Sequence, residues 1–170
     1  MRSAWLRLAI MLGAAAGAGG VCICQALPAT EGETLSGRRI VLAEVVRGHA
    51  GVLVAGFSKD VETACGDWAK AIRADPALAG VPVYEVSQLA GAPSFIRGTI
   101  KSSMRKGLSP AEQDNFVVLT QDDKLWRSYF DVTADKDPYV VLLDASGRAV
   151  WHGHGSARDL EPLLKPALGK

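Results

Sequence analysis

The chain is poor in three things that would point directly to a chemistry: cysteine, histidine and an excess of charge of either sign. Lys and Arg number 19 against 18 Asp and Glu, a formal net charge of +1. That balance leaves no electrostatic footprint for a general nucleic-acid binder, so no nucleic acid is expected as a partner. A Gly-rich phosphate loop and the Cys/His spacing of a zinc site are both missing, and no cofactor is expected. The three histidines are His49, His152 and His154. Only the His152-Gly153-His154 pair offers weak metal candidates, because alternate residues of a strand share a face; two ligands are too few for a metal site. The three cysteines are Cys22, Cys24 and Cys65, and two of them fall in the amino-terminal segment.

That segment reads as a separate object. Arg2 and Arg7 precede an uncharged apolar run from Leu8 to Cys24, and Cys24-Gln25-Ala26 forms a small-x-small site. This is the layout of a secretory signal peptide over residues 1–26, with an uncleaved membrane anchor as the alternative. The sequences before Cys22 and Cys24 make poor lipoboxes, and a mitochondrial presequence wants more Arg and Ser. Cleavage after Ala26 leaves Cys65 as the sole thiol, which excludes an internal disulfide. The protein is therefore expected to be exported, to the periplasm or the outer face of the cytoplasmic membrane. Residues 27–32 read as a polar linker and residues 33–170 as one domain of ordinary size.

Within that domain, Ser36-Gly37 separates two short strand-like runs. The apolar run Val52-Leu53-Val54-Ala55 is short and rich in β-branched residues, as a buried strand requires. A polar loop then leads into a helix near Cys65, with Trp68, Ile72 and Leu78 as apolar positions and Asp75-Pro76 as its stop. Strand follows again from Val81 to Val86, and a strand-helix-strand order implies a right-handed crossover and parallel pairing. Phe116 to Leu119 predicts a strand. Gln121 to Phe130 predicts a helix with Leu125, Trp126, Tyr129 and Phe130 turned inward. A hairpin is expected around Asp144 to Gly147, and a last helix is expected to be capped by Ser156, packed by Leu160, Leu163 and Leu164 and ended by Pro166.

The stretch GVLVAGFSKDVETACGDW resembles the redoxin and TlpA-type members of the thioredoxin-like superfamily. These carry a strand ending in Phe and then a C-x-x-C pair five and eight residues further on. Counted from Phe57, those positions hold Glu62 and Cys65. The entry hairpin and the phrase AEVVRGH extend the likeness, as does PYVVLLDASGRAVWHGHG, in which Pro138 takes the place of the proline, usually cis, that opens a buried strand and faces the cysteines. The resemblance implies an α/β thioredoxin-like fold: a central mixed β-sheet with helices on both faces and a helical insertion over residues 87–115. It also implies a binding groove between Phe57, Glu62 and Cys65 on one side and Asp137 and Pro138 on the other. A weaker similarity, through Tyr139, Leu142, Asp144, Arg148, Trp151, Gly153 and Gly155, is to the thioredoxin-like assembly factors of the rotary ATP synthase, which also lack the redox pair.

Dithiol exchange needs a low-pKa nucleophile and a resolving thiol. Glu62 is no nucleophile, and the carboxylates of Glu62 and Asp67 disfavour a thiolate at Cys65. The peroxiredoxin pattern P-x-x-x-T-x-x-C is missing upstream of Cys65, and no Gln or Trp motif supports a glutathione peroxidase. The expectation is a non-redox binding or assembly module in the cell envelope, holding a protein partner in or near the membrane. The alternative is a single-cysteine thiol-disulfide oxidoreductase or peroxidase with Cys65 as the catalytic residue. A second surface is expected on the insertion, where SFIRGTIKSSMRKGL predicts an amphipathic helix. Its cations Arg97, Lys101, Arg105 and Lys106 suit a partner or an anionic membrane surface.

Overall fold

The computed structural model describes residues 26–158. The signal or anchor segment, apart from Ala26, and the expected final helix with Leu160, Leu163, Leu164 and Pro166 lie outside the described residues. Strands β1 (Glu31–Thr34), β2 (Arg39–Val41), β3 (Gly51–Gly56), β4 (Val83–Gln88), β5 (Phe116–Leu119), β6 (Tyr139–Leu143) and β7 (Ala149–His154) form one sheet. Their order is β2-β1-β5-β4-β3-β6-β7. β4 is parallel to β3 and to β5, whereas β1, β6 and β7 pair antiparallel with their neighbours. This is the mixed sheet expected from the sequence.

Side-chain alternation along the strands builds a core on each face. Val52 and Val54 of β3 and Val140 and Leu142 of β6 meet helix α2 (Glu62–Ala74) through Cys65, Trp68, Ala69 and Ile72. Those four helical positions follow the i, i+3, i+4, i+7 spacing of one helix face. The intervening residues Leu53, Ala55, Val141 and Leu143 face the other way. There they pack with α1 (Leu42–Val45) and α5 (Asp123–Tyr129), through Leu42, Trp126 and Tyr129. A helix thus covers each face of the sheet.

Several local expectations change. The segment 27–32 is no free linker: Leu27 is buried in the core, the hydroxyl of Thr30 donates to Asp122 at 2.7 Å, and β1 already begins at Glu31. Apolar Leu27 has more to gain from the core than from water. Helix α2 starts at Glu62, a turn before Cys65, and stops at Ala74 ahead of Asp75-Pro76. Leu78 is buried from a short 3-10 turn, Pro76–Leu78, rather than from the helix. Leu125 is 48% exposed, because only Trp126 and Tyr129 of α5 face the sheet.

The insertion forms α3 (Ser94–Met104) and α4 (Pro110–Asp114). α4 begins with a capping box in which Ser109 and Glu112 exchange hydrogen bonds, with Pro110 as its first residue. Leu89, Met104 and Leu108 pack on Leu35, Phe116 and Val118, so the insertion covers the part of the sheet beyond α2. The hairpin turn is as read: Asp144 accepts from the Ser146 and Arg148 amides, and Gly147 takes φ +78°.

Candidate functional site

The site of interest lies where α2 begins. Glu62, its first residue, is exposed, while Cys65 is buried at 8% exposure. The fold therefore gives the two sequence positions different environments: the outer one faces solvent and the inner one is packed. Gly56, at the end of β3, makes that packing possible. A Cβ there would lie 2.9 Å from Val61 Cγ1 and 3.2 Å from the Cys65 sulfur.

Burial dominates the chemistry of Cys65. It pushes the thiol pKa up to about 12, with smaller contributions from the carboxylates of Glu85 and Glu62. Glu85 had no place in the sequence reading. It sits on β4 among apolar neighbours at 5% exposure and is held by Arg73 of α2 at 3.1 Å, and Arg73 also reaches Glu112 of α4 at 3.2 Å. Burial raises the Glu85 pKa, partly offset by Arg73. A carboxylate between the apolar Tyr84 and Val86 of the strand VYEVSQ was the signal available for it.

Beside this thiol runs an open groove of about 640 Å³. Ala64 and Asp67 of α2 form one wall, Lys136, Asp137 and Pro138 the other, and residues 155–158 close its end. The expected groove is thus present, with a changed lining. Asp137 and Pro138 line it as read. Cys65 lies beneath the helix surface and Glu62 is not among the lining residues. Phe57 belongs to the core instead: it packs edge-on to Phe130 and Tyr139 at 5.7 and 6.0 Å, with Arg127 above its ring at 5.2 Å. Ala64 and Asp67 were legible as the solvent-facing partners, i and i+3, of the buried α2 stripe. Residues 155–158 reach the groove only through tertiary structure.

The Asp137–Pro138 bond is trans, as is every described peptide bond, unlike the usually cis proline of the proteins the sequence resembles. Trans is the intrinsic preference of an X-Pro bond by about 0.5–1 kcal/mol. The loop reaches β6 with its backbone satisfied, the Asp137 amide donating to Ala134 and the Pro138 carbonyl accepting from Gly155. Gly155 is itself tied to α2, since its carbonyl accepts from the Trp68 indole at 2.8 Å.

The cations of α3 do not form a free basic face. Arg97 donates to the carbonyls of Ala92 and Ala90, Lys101 pairs with Glu33 at 2.7 Å, and Arg105 donates to the Leu35 carbonyl at 2.5 Å. Lys106 is exposed. Phe95, one of its apolar residues, is 85% exposed. Arg97, Lys101 and Arg105 are tied down because open carbonyls and Glu33 on the entry hairpin offer Arg and Lys better partners than water does, and their alkyl stems cover apolar surface on the way.

His152 and His154 both line a second, smaller cavity, yet they have different environments. His154 Nδ1 lies 3.0 Å from the Asp137 carboxylate and its ring stacks on Tyr139. His152 is tilted against Tyr129, with both ring nitrogens buried and unpartnered. Burial lowers its pKa. Among the described residues, no three His, Cys, Asp or Glu side chains are placed to hold a metal ion.

A mixed sheet with helices on both faces and a buried thiol in the first turn of α2 give the chain a thioredoxin-like fold. No protein-family model and no curated protein matches it. Solved structures do. The exposed lipoprotein thioredoxin Etrx1 of Streptococcus pneumoniae is 18% identical with a TM-score of 0.55, over 83% of this chain and 98% of that one. A secreted Mycobacterium tuberculosis disulfide oxidoreductase homologous to E. coli DsbE is 16% identical with a TM-score of 0.51, over 84% and 96%. BsSco, a member of the Sco family of cytochrome c oxidase assembly proteins, is 14% identical with a TM-score of 0.55, over 85% and 94%.

Proposed function

We propose that this is an exported, non-redox thioredoxin-like module that holds a protein partner of the cell envelope in the groove between α2 and the loop at Asp137 and Pro138. The observation that carries the reading is the state of Cys65: buried, with a pKa of about 12, behind an exposed Glu62 that can neither attack a disulfide nor resolve one. Loss of the nucleophile leaves the groove intact, with charges of both signs on its walls: Asp67 and Asp137 against Lys136 and Arg158. A polypeptide laid along it meets donors, acceptors and apolar surface together, which suits recognition by shape and charge pattern. That the fold can serve assembly is supported by BsSco, described as belonging to a family of assembly proteins. Export is supported by the layout of residues 1–26 and by neighbours described as exposed or secreted.

The test has two arms. Disulfide interchange with a fluorescent mixed-disulfide peptide and external glutathione is expected to run no faster with the parent protein than with Cys65→Ser. Partner capture from envelope extracts is expected to survive Cys65→Ser and to be lost on reversing charge in the groove with Asp67→Lys. A rate that depends on Cys65, with capture indifferent to Asp67→Lys, replaces this reading with a single-cysteine oxidoreductase.

A further inference from the structure

On the other side of Asp137 from the groove lies a cavity of about 200 Å³ between the end of α5 and β7. Its walls are the rings of Phe130, Tyr139, His152 and His154, and Asp131 is its one carboxylate. Among the described residues, the buried side-chain nitrogens and oxygens without any hydrogen-bond partner are Trp126 Nε1, Tyr129 OH and both nitrogens of His152. The three residues are contiguous, with ring centroids 6.1 Å apart for Trp126 and Tyr129 and 6.0 Å for Tyr129 and His152. Buried polar groups are almost always paired, and an unpaired one costs about 1–3 kcal/mol. Of the three, His152 lines the cavity.

The chemistry of the walls selects the guest. Tyr139 OH is already satisfied, accepting from the Thr133 and Ala134 amides and donating to the Ala134 carbonyl. Nearby cations do not neutralise Asp131: Arg127 is taken by Asp123 and Asp135, and Lys136 faces the groove. An anionic guest meets the Asp131 carboxylate, and a purely apolar one leaves the His152 imidazole unpaired. A guest with N–H donors and positive charge satisfies both sides. It pairs with Asp131, donates to an acceptor nitrogen of His152, and is favoured by aromatic faces. The His152 ring lines the cavity, and among the described residues no hydrogen bond fixes its nitrogens.

We propose that this cavity binds a cationic nitrogen group, an alkylguanidinium or alkylammonium, whether free or at the end of an Arg or Lys side chain. The site is independent of the groove reading. The experiment follows the His152 side-chain resonances of the ¹⁵N-labelled full chain by NMR while ethylguanidinium, a capped Gly-Arg-Gly peptide or acetate is added. Saturable shifts are expected with both cationic probes and none with acetate. Asp131→Asn is expected to weaken binding about fivefold or more, the scale of one partly exposed charge pair. Asp131 has φ +52°, a conformation that Asn tolerates well, so this variant keeps the fold. Tighter binding of the peptide assigns the guest to a partner's side chain; equal binding assigns it to a free amine or guanidine. Failure of both cationic probes to saturate, or an affinity unchanged in Asp131→Asn, overturns the proposal.

Discussion

The reactivity of Cys65 can be worked out from its surroundings. Burial and two carboxylates raise its pKa from an ordinary 9.0 to about 12. At neutral pH the thiolate fraction is then about a thousandfold below that of an ordinary cysteine. A more basic thiolate is intrinsically the better nucleophile, and with a Brønsted coefficient of about 0.4–0.5 this recovers a factor of roughly 20. The net expectation is a reaction with a small disulfide reagent about fiftyfold slower than that of an unfolded control. Restricted access at 8% exposure slows it further. The assay is stopped-flow release of a chromophoric thiol from pH 4 to 10, with Cys65→Ser as blank and the guanidinium-unfolded protein as reference. The rate should climb about tenfold per pH unit, without a plateau below pH 9, and unfolding should restore the ordinary profile. A plateau below neutral pH would mean that the start of α2 stabilises the thiolate more than burial opposes it, and the non-redox assignment would fall with it.

Three other outcomes follow from named contacts. Gly56→Ala places a methyl 2.9 Å from Val61 Cγ1 and 3.2 Å from the Cys65 sulfur, so it should cost about 1–3 kcal/mol in urea unfolding, with Cys65→Ala in the same chain recovering part of the loss. His152 is half-buried and burial lowers its pKa below the ordinary 6.5, so the unfolded chain binds the proton more readily. Stability is therefore full above that value and drains away as pH falls through it toward the folded-state pKa. His152→Phe should flatten this acid limb in thermal melts taken between pH 7 and 5, and an unchanged limb would refute the assignment. Lys101→Met with Arg105→Met should lower stability by about 1–3 kcal/mol, because Glu33 and the Leu35 carbonyl lose their partners; a variant as stable as the parent would show these cations free for a surface role.

Much of the architecture was legible because single residue types decide it locally. An uninterrupted apolar run such as GVLVAG or YVVLL has no choice but a buried strand, and Ser-Gly, Asp-Pro and Ser-Pro pairs punctuate the chain wherever they occur. The groove was half legible: Asp137 and Pro138, with Lys136 beside them, stand at a strand entrance that the sequence marks, whereas residues 155–158 reach it only because β7 returns alongside β6.

What the sequence determined alone was the order of strands and helices, the near-neutral charge and the lack of a second thiol beside Cys65, all of which are properties of consecutive residues. Tertiary structure decided what each group experiences. The Cys65 thiol has a raised pKa because residues of β3 and β4 bury it and Glu85 comes near it. Lys101 and Arg105 of the insertion are tied down because a distant hairpin offers a carboxylate and a carbonyl. Asp131, His152 and His154 form one cavity only because the end of α5 lies against an edge strand. In each case pKa, exposure and pairing depend on neighbours far along the chain, and those are fixed only when the sheet has assembled.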